Sequence, residues 1–188
     1  TATESLAYYV VQVEKFLQRY EALAAAQTEA LVRAKWNAEE TAIAQEFLQH
    51  ARAIRAERAR AQREGRAPHL LELLQSWGGV TVAYRKRLID SPSYTLNHEE
   101  VAKALEEGVL FAEGLTPKRI DVDEHGHAAA IALTAQQRTA DGAWQDGGEV
   151  ILAARTILVA AGTQPNTVMA REDPRHFQLD GRYFQACD

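Results

Sequence analysis

The chain has 188 residues, of which 46% are hydrophobic and 25% charged, with a net charge of -5 at pH 7. This composition suits one ordinary globular domain or two small ones, and it argues against nucleic acid or an anionic membrane as a main partner. No apolar run reaches the length of a membrane span, and the first residues carry no signal-peptide pattern. The single cysteine, Cys187, has no internal disulfide partner, which favours a cytoplasmic location.

The first half of the chain has the period of α-helices. Apolar positions recur at spacings of three and four along a first seam: Leu6, Val10, Val13, Leu17, Tyr20, Ala24, Gln27 and Leu31. Asn37 and Glu40 form a capping-box pattern that opens a second helix. The second seam is Ile43, Phe47, His50 and Ile54. Two such seams are best buried in an antiparallel hairpin that turns near Trp36, and one long bent helix is the alternative.

An arginine-rich stretch follows on the second helix: Arg52, Arg55, Arg58, Arg60, Arg63 and Arg66. It suits either a phosphate-binding face or a solvated helix end. Since the chain is net acidic and no aromatic residue interleaves, the solvated end is favoured. Gly65 and Pro68 then end the helix, and 69–77 is predicted to be a short apolar helix.

The second half changes to the period of β-strands. Strands are predicted at 79–84, 109–112, 120–122, 130–133, 150–153 and 156–160. Asn97 and Glu100 form a second capping box, which opens a helix that Gly108 stops. Turn residues at 123–126 predict a hairpin, and the glycines at 142 and 147–148 predict a second loop. The predicted class is therefore α+β, with an N-terminal helical hairpin followed by strand, helix, strand, a three-stranded antiparallel meander and a last strand.

The order and spacing of these elements resemble one family between positions 78 and 168. Residues 80–87 (VTVAYRKR) match a strand that ends in tyrosine and basic residues, and 98–109 (HEEVAKALEEGV) match a helix of the type E-x-x-x-A-x-E-E-G-V. After the meander, 156–166 (TILVAAGTQPN) match a strand of the type T-x-I-x-A-x-G-x-x-P-N. These motifs are similar to those of the glutamate synthase small (beta) subunit and its relatives, which are pyridine nucleotide-disulfide oxidoreductase-like flavoproteins.

The resemblance also implies what this chain lacks. In that family a glycine-rich turn, G-x-G-x-x-A, receives the dinucleotide pyrophosphate and precedes a helix. This chain has no such turn, and residues 1–7 match the inside of that helix. We therefore expect a piece of a larger flavoprotein. Residues 1–77 would be an inserted hairpin, 78–168 an incomplete NAD(P)-binding half-domain with the meander, and 169–188 a return segment toward the flavin domain.

The resemblance assigns two sets of cofactor contacts. Arg85, Lys86 and Arg87 would lie beside the adenosine ribose, where a guanidinium holds a 2'-phosphate by two bonds, which favours NADPH over NADH. The second set, toward FAD, is Gly162, Pro165 and Asn166. The structural alternatives are a basic strand end on the surface for the first set and a plain tight turn for the second.

No residue of the chain stands out as a catalytic acid, base or nucleophile, or as a metal ligand. His125 and His127 lie in one turn without a third ligand at metal-site spacing, and Cys187 lacks the C-x-x-C partner of redox dithiols.

The sequence therefore predicts a fragment of an FAD-dependent NADPH oxidoreductase that is not catalytic by itself and binds neither cofactor tightly alone. Its expected partners are the rest of the parent flavoprotein and another redox subunit. In the alternative interpretation, the hairpin is a docking module for a subunit or domain. A homo-oligomer formed by pairing at an open sheet edge is a further alternative.

Overall fold

The computed structural model describes residues 2–91, 94, 97–160 and 166–186, and its fold is α+β. The chain divides into two units, of which the first ends at Arg155 and the second begins at Thr156. The helices are α1 (Ala2–Gln27), α2 (Glu29–Arg33), α3 (Ala38–Glu64), α4 (Leu70–Ser76), α5 (His98–Glu106) and α6 (Val168–Glu172). The strands are β1 (Thr81–Tyr84), β2 (Leu110–Glu113), β3 (Leu115–Val122), β4 (Ala128–Arg138), β5 (Trp144–Ala153), β6 (Leu179–Asp180) and β7 (Tyr183–Phe184).

Helices α1 and α3 pack against each other through their central turns. The rings of Phe16 and Phe47 meet edge to face at 5.6 Å, and Arg55 bonds to Glu21 at 2.7 Å. Residues 47–58 of α3 contact residues of α1 that lie between positions 9 and 21. Two packed helices were predicted, and the alternative of one long bent helix is wrong.

The buried face of α1 follows the predicted seam only up to Tyr20. Its buried members are Leu6, Val10, Val13, Leu17 and Tyr20. The helix ends at Gln27 because Thr28 adopts a positive φ of 93°, which breaks the helical period. As a consequence Val32 is buried, whereas Leu31, which the unbroken period predicted, is 57% exposed.

The buried face of α3 keeps His50 and Ile54 of the predicted seam but otherwise differs from it. It is formed by Ala44, Leu48, His50, Ala51, Ile54, Glu57 and Ala61. Ile43, which the seam included, is 37% exposed. Three of the seven buried residues are alanines, which the prediction did not include because it followed large apolar residues.

The two predicted capping boxes have different outcomes. Asn37 accepts a bond from the Glu40 amide at 2.8 Å, and the Glu40 carboxylate accepts one from the Asn37 amide at 2.9 Å, so the first box is confirmed. The second is wrong, because the Asn97 side chain makes no capping bond. Helix α5 begins there with backbone bonds from Glu100 and Val101 to the Asn97 carbonyl.

The arginine-rich end of α3 is tied to carboxylates of this chain, as expected for a solvated helix end. Arg55 pairs with Glu21 and Arg58 with Glu14, while Glu57 accepts bonds from two further arginines. Gly65 ends the helix in the left-handed conformation with φ 65°, as predicted.

One hydrophobic core joins the helices to the first strands. Its buried members are Leu6, Val10, Val13, Leu17, Tyr20, Val32, Leu48, Ala51, Ile54, Leu74 and Val109. Val80, Val82, Ala104 and Phe111 pack against this cluster from β1, α5 and β2 and their flanks. The helical region therefore shares its core with the β1–α5–β2 segment.

Strands β1 and β2 are parallel, and α5 connects them. Their register pairs Thr81 with Leu110 and Tyr84 with Glu113. Both strands therefore end at one edge, followed by residues 85–87 on one strand and Gly114 on the other. This edge carries the predicted basic residues.

The antiparallel meander β3–β4–β5 forms as predicted, with the turn at 123–126 between β3 and β4. The second predicted loop is shorter than expected: Gly142 lies in the turn after β4, whereas Gly147 and Gly148 lie within β5. A register shift between Thr134 and Gln136 lies opposite them. A Cβ on Gly147 would come within 3.1 Å of the Ala135 carbonyl oxygen, so the close approach of two strands explains this glycine.

The predicted last strand at 156–160 is wrong. These residues have no regular structure, and Leu158 and Val159 are 58% and 84% exposed. Apolar and β-branched residues favour a strand only when a neighbouring strand supplies hydrogen bonds. The rest of the second unit contains α6 and the short antiparallel pair β6–β7. Among the helices that the structure describes, none combines the length and apolar character needed to cross a membrane.

Candidate functional site

The predicted basic segment lies at the carboxyl ends of the two parallel strands. Arg85, Lys86 and Arg87 directly follow β1, and all three are exposed. In open α/β sheets, ligands bind outside the carboxyl ends of parallel strands. Arg85 and Lys86 have no salt-bridge partner among the residues that the structure describes, so their charges are available to a ligand.

Arg87 is already engaged by a carboxylate. Its Nε donates to Asp90 Oδ2 at 2.8 Å and its Nη2 to Asp90 Oδ1 at 2.9 Å. The two-point bond lowers the pKa of the Asp90 carboxyl and raises that of the guanidinium. Of the three predicted residues, Arg87 is therefore the one whose guanidinium must break its ion pair with Asp90 before it binds a ligand.

Gly114 joins the basic segment to the meander. Its amide donates to the Lys86 carbonyl at 3.2 Å, and its carbonyl accepts from the Gln136 amide at 2.6 Å. Its φ of 66° lies in the left-handed region, and a Cβ would come within 3.2 Å of the Gln136 carbonyl oxygen. The sheet edge and the end of β4 are thereby fixed side by side.

The structure adds Arg138, at the end of β4, to the charges around this edge. The positive charges of Arg87, Arg138 and Lys86 all lower the pKa of Asp90. Arg138 Nε also donates to the Gly142 carbonyl at 3.2 Å, which orients the guanidinium over the turn after β4. Sequence reasoning missed this residue because its position depends on the bonds through Gly114.

Two carboxylates balance the cations at the same edge. Besides Asp90, Glu113 ends β2, and its Oε1 accepts from the Leu88 amide at 2.6 Å. In the sequence, the three-residue spacing of Arg87 and Asp90 was the sign that these two side chains could pair. An anionic ligand here meets a mixed rather than purely positive surface.

The second predicted set falls largely outside the described residues. Gly162 and Pro165 lie there, and only Asn166 is described. Its side-chain oxygen accepts from the Val168 amide at 3.3 Å, at the start of α6. Asn166 thus makes a local turn bond, and its contact with a cofactor stays a prediction.

The two histidines of the β3–β4 turn lie beside a carboxylate of α3. Asp123 Oδ1 accepts from the amides of His125 and His127, each at 2.9 Å. The Glu39 carboxylate of α3 lies 3.2 Å from His127 Nδ1 and 3.7 Å from His125 Nδ1. In the part of the chain that the structure describes, no group of three or more His, Cys, Asp or Glu is arranged to hold a metal ion.

His50 is packed in the core with aromatic neighbours. It stacks on Trp77 with ring centroids 3.8 Å apart, and its Nδ1 shares a 2.6 Å hydrogen bond with the Tyr9 hydroxyl. Burial lowers the pKa of His50 and raises that of Tyr9 to about 12, so both stay neutral at pH 7. The pair therefore contributes hydrogen bonding inside the core, in line with the place of His50 on the predicted seam.

Comparison with known proteins finds a relative but no family. No family model matches the chain. An uncharacterized protein of Rickettsia prowazekii (strain Madrid E) is 32% identical over 202 aligned residues, which cover 97% of this chain and 25% of that protein. The chain thus spans about a quarter of the length of this relative.

Proposed function

We propose that this chain is part of an FAD-dependent NAD(P)H oxidoreductase and supplies part of its pyridine-nucleotide domain. The observation that supports this proposal best is the basic segment Arg85–Arg87 at the carboxyl ends of β1 and β2. A strand–helix–strand unit that ends in exposed cations suits the adenosine side of a dinucleotide, where a 2'-phosphate distinguishes NADPH from NADH.

The described residues fit one part of such a ligand. Arg85 and Lys86 would hold the 2'-phosphate, and Arg87 would join them after leaving Asp90. The pyrophosphate would need a glycine-rich turn, which this sequence lacks, so tight binding requires further chain. When bound, NADPH supplies a hydride to FAD. The part of these residues is to orient the nucleotide and select it by charge.

The experiment compares nucleotide preference in the longer protein that the proposal implies. In an Arg85→Gln/Lys86→Gln variant, we expect the ratio of kcat/KM for NADPH to that for NADH to fall roughly tenfold or more, because charged hydrogen bonds to the 2'-phosphate are lost. The fall should come from KM for NADPH. Ferricyanide serves as the electron acceptor in the assay.

The matched control removes the same charge elsewhere. Arg52 and Arg63 are exposed on α3 and have no salt bridge within the described residues, so Arg52→Gln/Arg63→Gln should leave the ratio unchanged. An unchanged ratio in the Arg85/Lys86 variant would refute the phosphate assignment. Failure of the unaltered protein to reduce flavin with either nucleotide would refute the oxidoreductase proposal.

A second candidate function is docking by the helical region. The outer face of α1 exposes Tyr8 (66%) and Val11 (44%), which lie one turn apart. Large apolar side chains grouped on an exposed face suit contact with a subunit or domain. This function is compatible with the first one, because the two use different surfaces.

A further inference from the structure

Asp90 occupies the basic edge in the way that a phosphate would. Two guanidinium nitrogens of Arg87 bond to its two carboxylate oxygens at 2.8 and 2.9 Å. Arginine binds phosphate oxygens through the same two parallel N–H···O bonds. Both side chains remain accessible, with 48% of Arg87 and 38% of Asp90 exposed, so a solute anion can reach the pair.

The meander brings a further cation to this carboxylate. The bonds from Gly114 to Lys86 and from Gln136 to Gly114 hold the end of β4 beside the basic segment. Arg138 lies two residues beyond Gln136 and ends that strand. The influence of Lys86 and Arg138 on the Asp90 pKa is consistent with this placement, since both lower it through their charges.

Building on the proposed function, we propose that Asp90 is an internal competitor for the nucleotide 2'-phosphate, and that Arg138 is a further residue of the phosphate site. A phosphate monoester carries nearly two negative charges at neutral pH, whereas the carboxylate carries one. The ester therefore has the electrostatic advantage needed to displace Asp90 from Arg87. A ribose with a free 2'-hydroxyl lacks this advantage and leaves the Arg87–Asp90 pair closed, so Asp90 lowers the affinity for the 2'-phosphate without changing the binding of the unphosphorylated ribose.

The test titrates adenosine 2'-monophosphate into the 188-residue chain and its variants by calorimetry or NMR. Asp90→Asn should bind this probe roughly two- to fivefold more tightly, the range that one exposed charge pair contributes. Asp121→Asn is the matched control, because Asp121 pairs with Arg119 at 2.8 Å on the meander and its replacement changes the net charge equally. The control should leave the affinity unchanged.

A second pair of variants tests Arg138. In the Asp90→Asn background, Arg138→Gln should weaken binding of the same probe by a similar factor, whereas Arg63→Gln should not. Thermal unfolding of each variant establishes that it is folded. Should Asp90→Asn fail to fold, Asp90→Ser removes the same charge from this exposed position and replaces it in the titration.

The inference is overturned if Asp90→Asn and Asp121→Asn raise the affinity equally, because the gain would then be a general charge effect. It is also overturned if neither variant raises it. Inorganic phosphate separates this inference from the proposed function. Asp90→Asn could strengthen the binding of inorganic phosphate while Arg85→Gln/Lys86→Gln leaves the nucleotide preference unchanged. In that case the anion site is supported and the nucleotide assignment is wrong.

Discussion

At the scale of single residues, two glycines end helices in the left-handed region but have different surroundings. Gly65, with φ 65°, has no heavy atom within 4 Å of an added Cβ. At Gly108, with φ 82°, an added Cβ would overlap with Leu71 Cδ1. The next residue, Val109, is only 1% exposed, so the chain after Gly108 has little room to move.

We therefore expect the two Gly→Ala replacements to differ in cost. Gly65→Ala should lower the free energy of unfolding by about 1 kcal/mol, the cost of a left-handed conformation. Gly108→Ala should exceed that cost by about 1–3 kcal/mol because of overpacking. Urea unfolding of both variants measures the difference.

A double variant isolates the steric cause. Leu71→Ala removes the methyl groups that a Cβ at position 108 would meet. In the Leu71→Ala background, the extra cost of Gly108→Ala should largely disappear, as a double-mutant cycle would measure. Equal costs for the two glycine replacements in the unaltered background would show that the left-handed backbone alone sets the cost of replacing Gly108.

At the scale of elements, Glu57 connects α3 to α4. It is 6% exposed and accepts bonds from Arg66 Nη1 at 2.7 Å and from the His69 amide at 2.9 Å, with Arg60 as a third donor. The bond from Arg66 is the main cause of its low pKa, about 2, and the His69 bond adds to it. One carboxylate thereby organises the turn that follows the long helix.

This lowered pKa predicts a specific loss of stability in acid. The unfolded chain has an ordinary glutamate pKa near 4.5, so the stabilisation is complete above that pH and is lost as the pH falls toward 2. Glu57→Gln should lower the urea midpoint at pH 7, and its difference from the unaltered chain should shrink between pH 4.5 and 2.

The control for Glu57 is Glu64, because it pairs with the same arginine but is more exposed to solvent. Glu64 accepts from Arg66 Nε at 2.6 Å, but its side chain is 51% exposed. Glu64→Gln should therefore change the urea midpoint little at any pH. If Glu64→Gln and Glu57→Gln had equal effects, burial and the His69 bond would not distinguish the two carboxylates.

At the scale of the whole molecule, the shared core limits how the helical region can be tested. Deleting α1 and α3 would expose Leu74 and Val109, which belong to the same core. Substitution of the outer face of α1 keeps that core intact. In the longer protein that we propose, Tyr8→Gln/Val11→Gln should preserve flavin reduction and weaken association with a docked subunit or domain at least roughly tenfold.

Sedimentation velocity measures this association, and Leu31→Gln is its control, since Leu31 is 57% exposed on α2. Unchanged assembly in the Tyr8/Val11 variant would exclude the α1 face from docking. A parallel loss of flavin reduction would instead indicate that this face of α1 stabilises the pyridine-nucleotide domain.

Local patterns in the sequence predicted much of the fold. The α1 seam, the Asn37 box, the Gly65 helix end and the β3–β4 turn form where neighbouring residues supply their own bonds and backbone freedom. The same local information failed at Asn97 and at 156–160. A side-chain cap competes with other backbone arrangements, and a strand forms only when another strand completes its hydrogen bonds.

The sequence by itself determined the α+β class and the three adjacent cations at the end of β1, because period and charge are properties of neighbouring residues. Only the tertiary structure decided which of those cations are available. Arg87 is held by Asp90, Arg85 and Lys86 have no such partner among the described residues, and Arg138 is brought to the same edge through Gly114. Charge pairing depends on distances of a few ångströms between residues far apart in the chain, and packing of the helices, the parallel strands and the meander sets those distances.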